Sequence, residues 1–256
     1  MNQKKHWVAI GDSFTYLDAH QSLWTDRFEK GYVTRTKEKL PFPCDVTNLG
    51  VDGAIVDTFV SVAFPQADFY TILLGTNDWN SELYPIGDKA DFLARKPQTF
   101  VGHLGIIIDH IREVSPKAVI FVMNPVERAH FVYARDQFHD ALDSTHRKKF
   151  GYLRDYASAI MTSIEGENVV TVDTHRLTGI TVGNAVRFMR VLTKEGTIRD
   201  LVYPEYCEWT YDPHGPYPYP KEAWDMTYDG LHPSDKGAER IAEVLANSIV
   251  KNVHFI

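Results

Sequence analysis

The chain has 256 residues, 44% of them hydrophobic and 24% charged, enough for a substantial core. That composition excludes a chain disordered throughout, a collagen-like repeat and a disulfide-dense miniprotein. Its 34 acidic and 27 basic side chains leave a net charge of -7, which repels nucleic acid and anionic membrane at long range, so neither is expected as a partner.

In chain order, a basic N-terminus runs into a first apolar segment, residues 7–10, which is too short for a secretion signal. A cytoplasmic product is favoured on that ground, with a lysis-released or virion-associated one left open. Further apolar segments of strand length follow at 45–48, 69–74, 118–123 and 169–172, each ended by polar or glycine punctuation. Helical spacing separates them, at Ile55, Val56, Phe59 and Val60 and again at Phe100, Leu104, Ile107, Ile108 and Ile111. Residues 135–164 read as one long helix, or two joined near Gly151, and Arg147-Lys148-Lys149 within them as a solvated helix face. Ser234 is the expected cap of a last helix that turns Ala238, Ile241, Leu245 and Ile249 inward. No segment approaches the roughly 18 apolar residues of a membrane span.

Alternation of strands and helices predicts a mostly parallel, five-stranded sheet covered on both faces, an α/β/α sandwich of three layers. Residues 1–256 are expected to form one domain. One stretch breaks the rhythm: residues 203–228 carry eight aromatic side chains, all Tyr or Trp, and five prolines. The prolines forbid a regular helix or central strand, so an irregular loop insertion is expected there.

Open parallel sheets gather ligands beyond the carboxyl ends of their strands. Four blocks of chemistry-bearing residues stand at such places: Gly11-Asp12-Ser13-Phe14, Asn48-Leu49-Gly50-Val51-Asp52-Gly53, Gly75-Thr76-Asn77-Asp78 and Asp229-Gly230-Leu231-His232-Pro233. A serine hydroxyl needs a base to become a nucleophile, and an imidazole oriented by a carboxylate is suited to the task. Ser13, His232 and Asp229 supply those three groups. Ser13 N–H, Gly53 N–H and the Asn77 amide supply donors for an oxyanion, while Asp12 and Asp78 are read as supporting residues that fix turns.

Together, in this order, the four blocks resemble those of the SGNH, or GDSL, hydrolase superfamily, over nearly the whole chain. The resemblance implies a flavodoxin-like sandwich and hydrolysis of esters without a metal or other cofactor. It also implies Ser13 as nucleophile, Gly53 and Asn77 in the oxyanion hole, and Asp229 and His232 completing a triad. It selects Gly53 over the rival Gly50 as the oxyanion glycine. Two departures bear on substrate shape: Phe14 follows the nucleophile where an aliphatic residue is usual, and Ala54-Ile55 follows Gly53 where polar residues are common.

Trp209, Trp224, Tyr228 and His214 are the expected substrate contacts from the aromatic insertion, because flat rings with polar tips suit pyranose stacking. This reading makes the substrate a small or polymeric carbohydrate ester, most simply an acetyl ester. A lipid esterase or thioesterase shares the same machinery, and a non-catalytic carbohydrate-binding module would keep the aromatic residues alone. His103 with His110, and His139 with His146, stand two helical turns apart, a spacing unlike that of metal ligands on one helix, and no metal is expected. Cys44 and Cys207 support neither a zinc site nor a redox pair and leave one long-range disulfide open. Nothing in the sequence points to an oligomeric state.

Overall fold

A computed structural model describes residues 4–20, 26–134, 145–210, 212 and 214–253. Its strands are β1 (Lys5–Gly11), β2 (Cys44–Gly50), β3 (Phe69–Leu73), β4 (Val119–Met123), β5 (Val169–Val172), β6 (Met189–Leu192) and β7 (Ile198–Leu201). The helices are α1 (Ser13–Ala19), α2 (Tyr32–Lys39), α3 (Thr76–Ser81), α4 (Lys89–Leu93), α5 (Phe100–Val114), α6 (Leu153–Ser163), α7 (Thr174–Leu177) and α8 (Asp235–Asn252).

The first five strands form one parallel sheet in the order β2-β1-β3-β4-β5. Side chains alternate between its faces, as the pleat requires. Val8, Ile10, Tyr70, Ile72, Ile120 and Val122 join the α5 and α6 side, while Trp7, Ala9, Phe69, Phe121 and Met123 join the α2 and α8 side. The strands are legible as continuous apolar segments because both faces are buried. Helix α8 begins where expected, with the Ser234 side chain accepting from Gly237 N. Its inward residues Ala238, Ile241, Leu245 and Ile249 are all buried, and a fully buried Ile or Leu contributes about 1.5–3 kcal/mol relative to exposure.

Because β1 lies between β2 and β3, the chain reverses its direction of progress across the sheet there. This is a topological switch point, the crevice where open α/β sheets bind ligands. The loops that follow β1 and β3 are therefore neighbours, which brings Ser13 and Asn77 to one place.

Three expectations need correction. Residues 55–60 form only a 3₁₀ turn, Val56–Phe59, whose buried side chains Val56 and Phe59 join the core on the α5 side. Within 135–164, residues 135–144 lie outside the described residues. The only helix in the remainder is α6, because Gly151 adopts a left-handed φ of 151° that interrupts a helix. Arg147-Lys148-Lys149 is accordingly not on a helix face. The described residues of the aromatic insertion hold only two 3₁₀ turns, Glu205–Glu208 and Lys221–Ala223, and the antiparallel pair of β6 and β7 precedes it. Tyr206, Tyr219 and Ala223 pack on that pair as a separate apolar cluster with Met189, Val191 and Leu201. Cys44 and Cys207 are not joined in a disulfide. No helix among the described residues is long and apolar enough to cross a membrane.

Candidate active site

Each functional group is delivered by a strand end and fixed by its neighbours. After β1 the chain turns at Asp12, whose carboxylate accepts from Phe14 N at 3.1 Å and caps α1, so that Ser13 becomes the first helical residue. At the end of β2, Asn48 accepts from Gly50 N and donates to Thr15 O, both at 2.8 Å, tying this strand to α1. Gly53 then takes a left-handed φ of 71°, which a side chain would disfavour.

After β3, the two first-turn residues of α3 grip the segment that follows Gly53. Asn77 Nδ2 donates to Ala54 O at 3.1 Å, and Val56 N donates to Asp78 Oδ1 at 3.0 Å. One amide hydrogen of Asn77 is thereby held, and the other remains for the cavity it lines.

Asp229 and His232 come from the turn that precedes α8. Asp229 Oδ1 accepts from the backbone N–H groups of Leu231 and His232 at 2.9 and 2.7 Å, and its Oδ2 lies 2.6 Å from His232 Nδ1. With Nδ1 protonated toward Asp229, Nε2 accepts from Ser13 Oγ at 3.0 Å. The imidazole is confined between rings: Tyr228 stacks on it at 5.8 Å with a 20° interplanar angle, and Phe14 tilts against it at 5.9 Å. A second loop braces this turn, since Ala129 N donates to Gly230 O and Tyr133 N to Asp229 O.

Burial alone would push the His232 imidazole down, but the Asp229 charge and hydrogen bond, joined by the charges of Asp12 and Asp52, raise it above the ordinary histidine value. Burial likewise works against an ionised Asp229, and the His232 charge with the hydrogen bonds it receives overcomes this and lowers its pKa. Asp12 and Asp78 differ: burial dominates and lifts each carboxyl to about 7.

Ser13, Gly53, Asn77, Asp229, His232 and Tyr228 all line one cavity of about 630 Å³. Trp224 does not line it but supports it from behind, its ring 6.0 Å from Tyr228. Trp209 lies elsewhere, in a second cavity of about 510 Å³ with Pro216 and Pro218. His214 lines neither cavity. It is exposed, in a turn closed by its own N–H to Asp212 Oδ1 at 2.9 Å. Among the described residues of the aromatic insertion only Tyr217 and Tyr228 line the first cavity, joined by Tyr16 and Tyr133, which the sequence did not single out.

Two arginines were also missed. Arg27 lines the cavity. Arg128, from the loop after β4, is buried with its guanidinium 4.7 Å from the Trp79 ring centre and within 3.4 Å of Thr76 Oγ1. Burial lowers its pKa to about 10, so it stays charged at neutral pH. A lone arginine in a loop carries no spacing signal, although position beyond a strand end was a pointer available for Arg128.

The family model of the GDSL-like lipase/acylhydrolase family matches residues 9–240. No curated protein matches the sequence. Among solved structures, a possible lipase from Chitinophaga pinensis DSM 2588 is similar at 35% identity and a TM-score of 0.89, over 96% of this chain and 98% of that one. A protein from Lactobacillus plantarum, 18% identical with a TM-score of 0.62 over 98% of both chains, shares the fold. So does a Clostridium thermocellum family 3 carbohydrate esterase, 13% identical with a TM-score of 0.54 over 98% of both chains.

Proposed function

The chain belongs to the GDSL-like lipase/acylhydrolase family and is an ester hydrolase, and on that premise we propose that it removes a small acyl group, acetyl foremost, from a carbohydrate by covalent catalysis at Ser13. The observation that carries this reading is the unbroken line of contacts from Asp229 Oδ2 through His232 to Ser13 Oγ, at 2.6 and 3.0 Å.

Ser13 Oγ attacks the ester carbonyl as His232 Nε2 takes its proton, and Asp229 holds the imidazole in the required tautomer. Charge developing on the carbonyl oxygen is met by Ser13 N–H, Gly53 N–H and the second Asn77 hydrogen, each donor worth about 3 kcal/mol in the transition state. His232 then gives the proton to the departing alcohol, leaving an acyl-serine. A water molecule, activated by the same imidazole, releases the carboxylic acid and restores Ser13.

Support for a sugar as the alcohol comes from the polar-tipped tyrosines Tyr16 and Tyr217 that line the cavity. Similarity to a possible lipase favours a second reading, a lipid ester. Hydrolysis of p-nitrophenyl esters from acetate to palmitate separates the two: a maximum at acetate supports the small-acyl reading, and a maximum at long chains replaces it. Ser13→Ala should fold normally and lose at least about 1000-fold in kcat. A variant within about tenfold of wild type would reject the covalent route and leave room for a binding module.

A further inference from the structure

The alcohol portion of the substrate can be narrowed from the charges around the cavity, given the esterase reading above. Arg27 lies on the cavity wall with 22% of its side chain exposed. Its guanidinium carbon sits 5.9 Å from the Trp224 ring centre and 5.8 Å from that of Tyr228, and Tyr217 lines the same cavity. Tyr228 in turn stacks on His232. A planar cation braced by rings keeps its shape while presenting in-plane N–H groups, the arrangement that matches a carboxylate in a bidentate pair.

The position is as informative as the geometry. His232 delivers the proton to the leaving alcohol, so the ring and the cation stacked behind it flank the alcohol and not the acyl group. Asp26 stands 3.6 Å from Arg27 and is 79% exposed, an ion pair too long and too well solvated to hold the guanidinium. Two carboxylates line the cavity with it: Asp229 is engaged by His232, and Asp52 lies on the loop that carries Gly53. In a chain with a net charge of -7, the leaving-group side of the cavity therefore presents a cation.

We propose that Arg27 is a specificity-determining residue that binds a carboxylate carried by the alcohol part of the ester, which makes the substrate class an acylated acidic sugar.

The experiment compares kcat/KM within each protein for three acetylated methyl glycosides: a hexuronic acid, its neutral hexose counterpart and the corresponding hexose phosphate. In the wild type the uronate should exceed the neutral sugar by about tenfold or more. In R27Q that ratio should fall to near one, and R27K should retain part of it. Because the ratio is internal to each variant, a general loss of folded protein cancels. A wild-type ratio at or below one, an unchanged ratio in R27Q, or turnover of p-nitrophenyl acetate with none of the sugars would overturn the proposal. Preference for the phosphate over the uronate would overturn the carboxylate assignment. Failure of wild type on every ester, p-nitrophenyl acetate included, would instead strike the esterase reading itself.

Discussion

His232 is the residue through which pH acts on the proposed reaction. Only its neutral form accepts the Ser13 proton, and its pKa is raised because the Asp229 charge and hydrogen bond outweigh the burial that would lower it. Activity should therefore decline on acidification, with a midpoint above the ordinary value of 6.5 and one dominant proton. The pH dependence of kcat/KM on p-nitrophenyl acetate reads this directly, and a midpoint well below 6.5 would mean that the Asp229 contact does not govern the imidazole. The residues of this chain were all legible where a fixed spacing reported the chemistry. Asp229 and His232 stand three apart because a turn folds the carboxylate back onto Nδ1, and Ser13, Gly53 and Asn77 each follow a strand. Arg27 and Tyr217 are brought to the same cavity by tertiary packing, and nothing local in the sequence distinguishes them from solvated loop residues.

The end of β2 shows how closely an element can constrain the site. Gly50 lies so near α1 that a Cβ there would fall 2.2 Å from Tyr16 N and 2.6 Å from Thr15 C, both backbone atoms that no rotamer change can move aside. Gly50→Ala must displace α1, the helix that begins at Ser13. Its expected cost is about 1–3 kcal/mol in urea unfolding, the usual range for overpacking, together with a drop in kcat. Gly183→Ala is the control, since its Cβ would meet nothing closer than 3.5 Å, and it should stay within about 0.5 kcal/mol of wild type. Equal stability of the two variants would show that α1 yields without strain. At this level the five sheet strands were readable because burial on both faces leaves an uninterrupted apolar pattern. The β6–β7 pair was not, because its strands are four residues each, include Arg190, Arg199 and Asp200, and are half-exposed in pattern. Arg190 Nε and Asp200 Oδ1 pair across the two strands at 2.7 Å, a cross-strand contact that charged residues reveal only once the register is known.

The folded chain as a whole carries a pH liability in its two buried carboxyls near the proposed oxyanion donors. Burial lifts Asp12 and Asp78 from the ordinary 3.8 to about 7, and Asp78 Oδ2 is buried without a hydrogen-bond partner among the described residues. A carboxyl raised in this way binds its proton more tightly in the folded state than in the unfolded chain. The stability it contributes is complete below about 3.8, and is lost as pH rises through about 7. D78N keeps a carbonyl oxygen to accept from Val56 N but has no proton to lose. Any fixed cost of the amide is the same at every pH, whereas the wild type weakens as Asp78 ionises. The difference in Tm, variant minus wild type, should therefore climb between pH 4 and pH 8 by several degrees, at roughly 2–4 °C per kcal/mol for a domain of this size. Melting curves across that range decide the matter: a difference that stays flat would mean that Asp78 titrates in the folded protein as it does in the unfolded chain, the backbone N–H groups around α3 offsetting the burial.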